Sequence, residues 1–519
     1  MITLWDENLY WQELLGQEGV SFRPGSRLSG RDVVILNREP AESHAQRIWH
    51  FIQSGGGLLA AGADATEVLL ELMPVVRRLR WIAPEGDLPL FRNVGIVDIE
   101  THGEFLPGAN AGVTDSGAKA ILATTSGLGF CILLPFEVPR VLSSVESGPK
   151  QFPADTPRFP YDTVARVSRG EVRRLVANCL RFLLERKGLP YVHLAAVPGR
   201  AHSTFAFRVD TDFSPRRDLE AVARLADRLG MKFSWFVNVG AHKAHLDLFA
   251  DLARQGHDIQ LHCLRHTVSP DYKRNLDNFR RGKDAMADAG IAPVGVVAPF
   301  GEWNPELNRA LERLDFEYSS EFCLAYDDLP FRPVVEGRLS KVLQVPVHPI
   351  CLGRLVAARA NAAQMAAYFR SVIDLQVARR EPCFLYDHPE PIARFSDLLA
   401  DVLAYGKERC GSATTLTEFA RWWQHRERLA LTARMADKEL EIRARPGGAT
   451  ARVIVEQDNR YAELPAGSGA YSLGALEWHA LPKPVGFDPR SLAARKPSLL
   501  LHARSLNRKA RKTLRGHRG

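Results

Sequence analysis

Two histidines and two aspartates in the middle of the chain have a spacing that could hold a metal ion. His262 is the last residue of the segment HDIQLH and His266 lies four residues further on, whereas Asp210 ends the apolar segment STFAFRVD and Asp212 lies two residues beyond it. On a helical turn, residues four apart share a face, so both imidazoles could reach one cation. Either pair alone is a weak signal, because surface histidines and helix-capping acids are common.

Taken together, two imidazoles and one carboxylate favour a hydrolytic metal centre. Such a ligand set leaves coordination positions open for water and substrate. The cation would lower the pKa of its water towards about 7, and the other aspartate could act as base. We therefore expect a divalent metal. Zinc suits this set best, although manganese, cobalt and iron also fit it.

These residues must be positioned by the elements around them, which alternate regularly from about Ser203. Seven apolar strands and the helices between them predict a distorted or complete (β/α)7 barrel. Barrel enzymes place their chemistry at the C-terminal ends of the strands. Polar residues are concentrated at those ends: Asp210, Asp212, Asn238, His262, His348 and His388.

The rest of the chain predicts two further folded parts and a tail. DVVILN, AESHAQRIWHFIQSG and GLLAAG form a strand–helix–strand pattern, so residues 1–195 predict an α/β domain with a parallel sheet. KELEIRAR and ARVIVEQ flank Pro446-Gly447-Gly448 and predict a hairpin in a small β appendage. The predicted segments are 1–195, the barrel 196–428, the appendage 429–488 and the tail 489–519.

Composition and charge restrict the class of protein. Hydrophobic residues make up 45% and charged residues 25%, as in ordinary globular proteins. No apolar run reaches the roughly 18 residues of a membrane-spanning helix, and the first residues lack the features of a secretory signal. We therefore expect a cytoplasmic location.

The formal net charge of +8 comes from the tail, where ten Lys and Arg residues follow Asp488. Leu499, Ala503 and Leu506 begin an apolar stripe there, which predicts peripheral contact with an anionic membrane surface. A solvated tail without structure is the alternative. Nucleic acid is not expected as a partner, because no aromatic residue lies among the charges to stack on bases.

The seven cysteines form no C-x-x-C pair and fall mostly in apolar stretches. A free cysteine in such a place behaves as a small hydrophobe. We expect seven reduced, buried thiols and no catalytic cysteine.

The segment from about Ser203 to Arg428 resembles the polysaccharide deacetylase family, carbohydrate esterase family 4. The motifs are similar in order and spacing. They are Phe207-Arg208-Val209-Asp210-Thr211-Asp212, His257-Asp258-Ile259-Gln260-Leu261-His262 with His266, Val297-Ala298-Pro299-Phe300-Gly301, and Phe384-Leu385-Tyr386-Asp387-His388.

The resemblance implies a role for each matched residue. Asp212, His262 and His266 would bind the metal, and Asp210 would be the general base. His388 would protonate the departing amine. A backbone N–H in the turn formed by Pro299, Phe300 and Gly301 would stabilise the oxyanion. The two acids are spaced D-x-D rather than adjacent, which leaves open which of them binds metal.

The chain departs from the family pattern in two motifs. Val297 stands where the third motif has an arginine that orients the base. Arg208 shares a strand face with Asp210, so we expect Arg208 to take the place of the missing arginine and orient Asp210. The fourth motif is unclear: Glu321, Asp327 and Asp328 are candidates to orient His388, and the alternative, which the sequence favours, is that they are exposed loop acids. His348 fits either the cleft or a structural role.

Residues 30–190 resemble, more weakly, class I glutamine amidotransferase-like domains, through FIQSGGGLLAAG and GLGFCILLPFEV. Such enzymes need a nucleophilic cysteine on a glycine-flanked turn. Cys131 lies inside an apolar strand without that motif, so we expect a non-catalytic domain. Gly55-Gly56-Gly57 predicts a helix-ending turn rather than a phosphate cradle.

These observations predict a metal-dependent hydrolase that removes an N-acyl group, acetyl or formyl. The expected substrate is an aminosugar-containing carbohydrate or a lipid-linked sugar. Two alternatives stay open. One is an inactive carbohydrate-binding or scaffold protein that retains the barrel, and the other is an amidohydrolase of a small non-sugar amide.

Overall fold

The first 134 residues contain the strands of one nine-stranded mixed sheet. The computed structural model describes residues 1–5, 7–28, 32–37, 42–62, 75–105, 107–436, 439–445 and 451–495. In the sheet order β2-β1-β3-β4-β9 the strands are parallel, and β8-β7-β5-β6 continue it antiparallel. The predicted parallel sheet is thus confirmed for five strands. The sheet strands are β1 Ile2–Leu4, β2 Phe22–Pro24, β3 Val33–Leu36, β4 Gly57–Ala61, β5 Val75–Ala83, β6 Val97–Phe105, β7 Ala111–Thr114, β8 Lys119–Ser126 and β9 Gly129–Leu134.

Helices cover this sheet, and a separate hairpin follows it. The predicted helix-ending turn is confirmed, because Gly55 has φ 100° directly after the second helix. The hairpin strands β10 Ser147–Gln151 and β11 Tyr161–Ala165 pair antiparallel. The remaining elements are α1 Leu9–Glu18, α2 Glu42–Gln53, a 3₁₀ turn Pro89–Phe91, α3 Val138–Leu142, α4 Arg169–Glu185 and β12 Tyr191–Leu194.

Seven parallel strands form the curled sheet of the middle domain, in the order β20-β17-β16-β15-β14-β13-β21. The His348 N–H donates to Phe384 O at 3.0 Å, so the segment after edge strand β20 reaches the other edge strand, β21. The prediction of a distorted seven-stranded barrel is confirmed. The strands are β13 Phe205–Asp210, β14 Ser234–Asn238, β15 Asp258–Cys263, β16 Gly295–Val296, β17 Tyr318–Ser319, β20 Leu343–Gln344 and β21 Cys383–Asp387, with a small ribbon β18 Val334–Val335 and β19 Arg338–Leu339.

Amphipathic helices surround this sheet and have well-defined ends. Asn361 and Gln364 form a capping box, as do Thr415 and Glu418, so both helices begin with satisfied N–H groups. The helices are α5 Arg216–Leu229, α6 Val239–His242, α7 Leu246–Arg254, α8 Tyr272–Asp288, α9 Pro305–Arg313, α10 Leu352–Ala357, α11 Ala362–Arg379, α12 Pro389–Arg394, α13 Ser396–Cys410 and α14 Leu416–Arg426, with 3₁₀ turns Lys243–His245 and Pro299–Gly301.

Two antiparallel sheets form the predicted β appendage. Their orders are β12-β24-β25-β27 and β22-β23-β26, and they bury a common apolar core. Residues 191–194 therefore pair with the appendage, while the predicted domain boundaries stay predictions. The elements are β22 Ala430–Ala436, β23 Glu439–Arg445, β24 Arg452–Gln457, β25 Arg460–Pro465, β26 Ser468–Ser472, a 3₁₀ turn Leu473–Ala475, β27 His479–Ala480 and α15 Arg490–Ala493.

One prediction for the appendage is wrong. The segments KELEIRAR and ARVIVEQ do not form a hairpin, because β23 pairs with β22 and β26, whereas β24 pairs with β12 and β25. Both strands alternate apolar and polar residues because each turns one face to the core between the sheets. The predicted turn Pro446-Gly447-Gly448 lies outside the described residues.

The basic tail is described only at its start. Arg495 forms two 2.8 Å contacts with the buried Asp98 of the N-terminal domain. Residues 496–519 lie outside the described part, so the membrane contact expected of the tail stays a prediction. Among the described helices, none combines the length and the apolar character needed to cross a membrane.

Candidate metal centre and active site

The three predicted metal ligands meet at the C-terminal ends of β13 and β15, which lie on either side of β14 in the parallel sheet. Asp212 follows β13, His262 lies in β15 and His266 follows that strand. The Oδ1 atom of Asp212 lies 3.2 Å from Nε2 of His262 and 3.2 Å from Nε2 of His266. The three ligand atoms all lie within 4.8 Å of one another. These residues therefore form a candidate metal site.

The donor set fits a divalent cation by distance and by chemistry. Two ligands about 2.1 Å from one ion lie roughly 3.0 to 3.4 Å apart in octahedral or tetrahedral geometry. The two 3.2 Å separations around Asp212 Oδ1 fall in that interval. Two imidazole nitrogens and one carboxylate suit zinc and several other divalent metals.

Hydrogen bonds fix the orientation of these ligands. The Nδ1 of His262 donates to Val297 O at 2.6 Å, which turns the Nε2 atom of the ring towards Asp212. Burial opposes ionisation of Asp212. Hydrogen bonds from His262 and His266 outweigh that effect and hold the pKa of the carboxyl well below its usual range.

Arg208 holds Asp210 as the sequence analysis expected. The Arg208 Nε lies 2.7 Å from Asp210 Oδ1, and Nη2 contacts Oδ2. Arg208 Nη1 also donates to Ser320 O at 2.8 Å, and the side chain is only 1% exposed. A fully buried, bidentate arginine has little freedom, so the carboxylate of Asp210 is held in one orientation.

His388 follows β21, the strand that pairs with the β13 strand of Asp210. Its Nε2 lies 3.6 Å from Asp212 Oδ2 and its Nδ1 lies 4.0 Å from Asp387 Oδ1. Burial disfavours the imidazolium, but contact with Cys351 and the charges of Asp212 and Asp210 raise the pKa of His388 to about 10.

The candidates for the fourth motif do not orient His388. Glu321 accepts the Ala298 N–H at 3.0 Å, and Asp327 and Asp328 contact Arg174 and Arg173 of α4. Those expectations are wrong because Glu321 is engaged by the backbone before the Pro299–Gly301 turn and the other two acids pair with arginines of the N-terminal domain.

Asp387 and Cys351 are the groups beside His388, and the sequence reasoning missed both. Both lie next to His388 in a second cluster of possible ligand atoms. The available signal was that Asp387 is the immediate neighbour of His388 in the chain. The Leu352 N–H donates to Asp387 Oδ2 at 2.7 Å, so Asp387 also fixes the start of α10.

The turn Pro299–Gly301 borders the metal site on the side of β16. Phe300 adopts φ 61°, a conformation that costs a non-glycine residue on the order of 1–3 kcal/mol. Its ring centroid lies 4.8 Å from that of His266. Pro299 has no N–H, and the Gly301 N–H donates to Ala298 O at 3.0 Å. Within this turn the Phe300 N–H is therefore the candidate donor to the oxyanion, and that role stays a prediction.

The three candidate metal ligands, Asp210 and His388 open into one cleft of about 250 Å³. It is lined by Asp162, Asp210, Asp212, His262, His266, Phe300, Gly301, Phe322, Arg354, Tyr386 and His388. A second, smaller cavity of about 120 Å³ lies where the three folded parts meet, but none of the metal-site residues lines it. The arginines and glutamates there pair with each other, as Arg181 does with Glu456 at 2.6 Å. The cleft at the barrel mouth is therefore the candidate site.

The remaining candidates are structural. His348 does not line the cleft, and its Nε2 lies 3.0 Å from the hydroxyl of Tyr368. The seven cysteines are free and buried, as expected. Burial raises the pKa of the Cys131 thiol to about 12, so this cysteine is a poor nucleophile at neutral pH.

Comparisons with known proteins agree with this geometry in part of the chain. The profile of the family described as polysaccharide deacetylase matches residues 210–319. The comparison with curated proteins gives no match.

Three solved structures illustrate what the chain is similar to. One is described as a polysaccharide deacetylase from Mycobacterium smegmatis, at 19% identity, TM-score 0.39, covering 45% of this chain and 94% of that one. Another is described as Puue allantoinase, at 17% identity and TM-score 0.38, covering 44% of this chain and 92% of that one. The third is described as a carbohydrate esterase family 4 pseudoenzyme from Bacillus anthracis, at 10% identity and TM-score 0.29, covering 43% of this chain and 67% of that one.

The matched residues 210–319 include Asp210, Asp212, His262 and His266 and the turn at Phe300. The family of the N-terminal domain stays a prediction. The chain therefore contains a polysaccharide deacetylase domain around residues 210–319.

Proposed function

We propose that this protein is a metal-dependent hydrolase that removes an N-acyl group, acetyl or formyl, from an aminosugar unit of a carbohydrate or glycolipid. One observation carries the proposal: Asp212, His262 and His266 converge within coordination distance of one point. Asp210 and His388 line the same cleft, so it also holds candidates for base and acid.

Asp212, His262 and His266 would hold the divalent cation, with zinc as the first choice. When bound, such a cation supplies Lewis acidity and lowers the pKa of a coordinated water. Asp212 is the ligand of the aspartate pair in this proposal, because its Oδ1 lies between the two imidazoles.

Asp210 would accept the proton of the attacking water. Its carboxylate is held in two-point contact by Arg208, whose burial fixes the direction of the pair. Arg208 thus does in this chain what the missing arginine at Val297 does in the family motif.

His388 would deliver a proton to the nitrogen of the departing aminosugar. Its side chain is 30% exposed, so it can meet a substrate in the cleft, and it lies on the opposite side of Asp212 from the histidine ligands. Proton removal and proton delivery then occur at two different strand ends.

The alternatives draw on specific features of the chain. Val297 in place of arginine favours an inactive, carbohydrate-binding protein, but the Arg208–Asp210 pair and the intact ligand set oppose it. A small non-sugar amide would need an enclosed pocket. The cleft lies at the open mouth of the barrel, which favours a larger carbohydrate.

Metal analysis with an acyl-release assay tests the proposal. Asp212→Ala and His262→Ala should each lose bound metal and lower the release of acetate or formate from a panel of N-acyl aminosugars by at least about 100-fold. Arg208→Gln should keep the metal and lower kcat. The exposed His425→Ala is the control for loss of a histidine. Full turnover in Asp212→Ala or His262→Ala would rule out the assignment.

A further inference from the structure

The hairpin β10–β11 of the N-terminal domain lies against the mouth of the barrel. The Ala165 N–H donates to Phe322 O at 3.0 Å, and the Arg158 N–H donates to Ala358 O at 3.2 Å. Phe152 and Val164 are buried in the core of the barrel rather than in the core of their own domain. The hairpin is therefore a fixed wall of the barrel.

This hairpin carries one acidic side chain into the wall of the cleft. Asp162 of β11 accepts two hydrogen bonds from Arg354 of α10, both at 2.9 Å. The Asp162 side chain is 4% exposed, whereas that of Arg354 is 40% exposed, and both line the cleft with the candidate metal ligands. The acid is thus buried behind the arginine, and the guanidinium is the group that a substrate can reach.

We propose that Arg354 binds hydroxyl oxygens of a neutral sugar unit beside the reacting one, and that Asp162 is the positioning residue that holds Arg354 in place. This subsite rests on the proposed function and specifies its substrate. It also assigns a role to the N-terminal domain, which supplies one wall of the substrate-binding cleft.

The charge of the pair favours a neutral ligand. A guanidinium offers only donors, so it binds oxygen acceptors such as hydroxyl, carboxylate or phosphate groups. The two-point contact with Asp162 offsets the positive charge of Arg354, which removes most of the attraction for an anion. Hydroxyl oxygens are then the acceptors that suit the remaining N–H groups.

Aromatic rings near the metal site complete a surface for a sugar. Phe300 is 48% exposed and Phe213 is 69% exposed, and the two rings lie 4.8 Å and 5.2 Å from the ring of His266. Exposed rings beside polar groups suit a ligand that has both apolar faces and hydroxyl edges.

Binding of two probes tests the subsite separately from turnover. The probes are the N-acetylglucosamine trimer, which is neutral, and N-acetylglucosamine 1-phosphate, which is anionic. Calorimetry is done on metal-loaded Asp210→Asn protein, in which the proposed base is absent and turnover is stopped. Arg354→Gln, Arg354→Lys and Asp162→Asn are compared in that background, with Arg166→Gln of the same hairpin segment as control. Thermal unfolding and metal content show whether each variant is folded and loaded.

We expect Arg354→Gln to weaken binding of the trimer by about 10-fold or more, and Arg166→Gln to leave it unchanged. Asp162→Asn should weaken trimer binding less and strengthen binding of the phosphate probe, because it exposes the charge of Arg354; a merely structural role would not produce that reversal. Unchanged trimer binding in folded Arg354→Gln and Arg354→Lys would overturn the subsite, as would a loss confined to the phosphate probe or no trimer binding before substitution. Failure of acyl release with trimer binding intact would contradict the proposed function and leave the subsite standing.

Discussion

His257 and His262 are the first and last residues of the segment HDIQLH, and their Nδ1 atoms have opposite hydrogen-bonding roles. The Nδ1 of His262 donates to Val297 O, whereas the Nδ1 of His257 accepts the Phe233 N–H at 3.1 Å. His257 cannot take a second proton without losing that hydrogen bond. Burial is the main cause that lowers the pKa of His257 to about 4. The first motif histidine is therefore a structural acceptor, and the second is a candidate metal ligand.

This contrast predicts a pH dependence of stability. The folded-state pKa of His257 is below its usual value of about 6.5, so its contribution is complete above pH 6.5 and is lost as the pH falls towards 4. The loss should be ~3 kcal/mol in the free energy of unfolding. His257→Asn keeps an acceptor that does not titrate and should flatten this part of the profile in urea denaturation. The exposed His425→Asn should leave the profile unchanged, and an equal effect of both variants would contradict the prediction.

At the scale of elements, the backbone conformation of the turn Pro299–Gly301 places the Phe300 ring beside the candidate metal site. Glu321 accepts the N–H of Ala298, the residue that precedes the turn. Phe300 adopts the strained φ of 61°, and its ring packs against the imidazole of His266. Gly301 follows with φ 61°, and a Cβ there would lie 2.6 Å from the ring of Phe322. The turn therefore needs glycine both for its backbone and for its packing.

Gly301→Ala should lower stability and activity together. The added methyl group must displace the Phe322 ring and with it the turn that holds Phe300, so we expect a loss of about 2–4 kcal/mol. Gly230→Ala is the matched control, because Gly230 has φ 56° and no heavy atom within 4 Å of an added Cβ. It should lose only about 1–2 kcal/mol and keep full acyl release. Equal losses in thermal unfolding would show that the ring contact is unimportant.

For the whole molecule, buried ion pairs join the N-terminal domain to the barrel. Arg173 of α4 contacts Asp328 at 2.7 Å and Glu381 at 2.6 Å, and it also contacts Glu18. Its side chain is only 3% exposed. Two of its three acidic partners belong to the barrel domain, so the arginine links the folded parts that together form the cleft.

Removing Arg173 should destabilise the interface strongly. Arg173→Ala would leave Asp328 and Glu381 buried without the guanidinium that pairs with both. Loss of one partner of a buried ion pair lowers the free energy of unfolding by about 3–5 kcal/mol. Arg434→Ala removes an arginine of the exposed Arg434–Glu441 pair and should cost less than about 1 kcal/mol. Guanidinium denaturation of both variants measures the difference. A loss below 1 kcal/mol in Arg173→Ala would contradict the role of the network.

The sequence by itself determined the strands of the barrel and the three metal-site residues. Short, nearly continuous apolar runs mark the longer strands, because the strands of a covered parallel sheet are buried on both faces. The ends of neighbouring parallel strands must lie at the same edge of a sheet. Asp212 follows β13 and His262 lies in β15, and only β14 separates these strands, so both residues were expected at the same edge of the sheet. The pairing of Arg208 with Asp210 was also readable, since residues two apart on a strand share a face.

Only the tertiary structure decided which groups surround that site from distant parts of the chain. Asp327 and Asp328 pair with α4, and Asp162 of the N-terminal hairpin lies behind Arg354. The division of β23 and β24 between two sheets was equally hidden. Such contacts depend on how separate parts dock, and docking leaves no periodic pattern in the sequence because it joins side chains far apart along the chain.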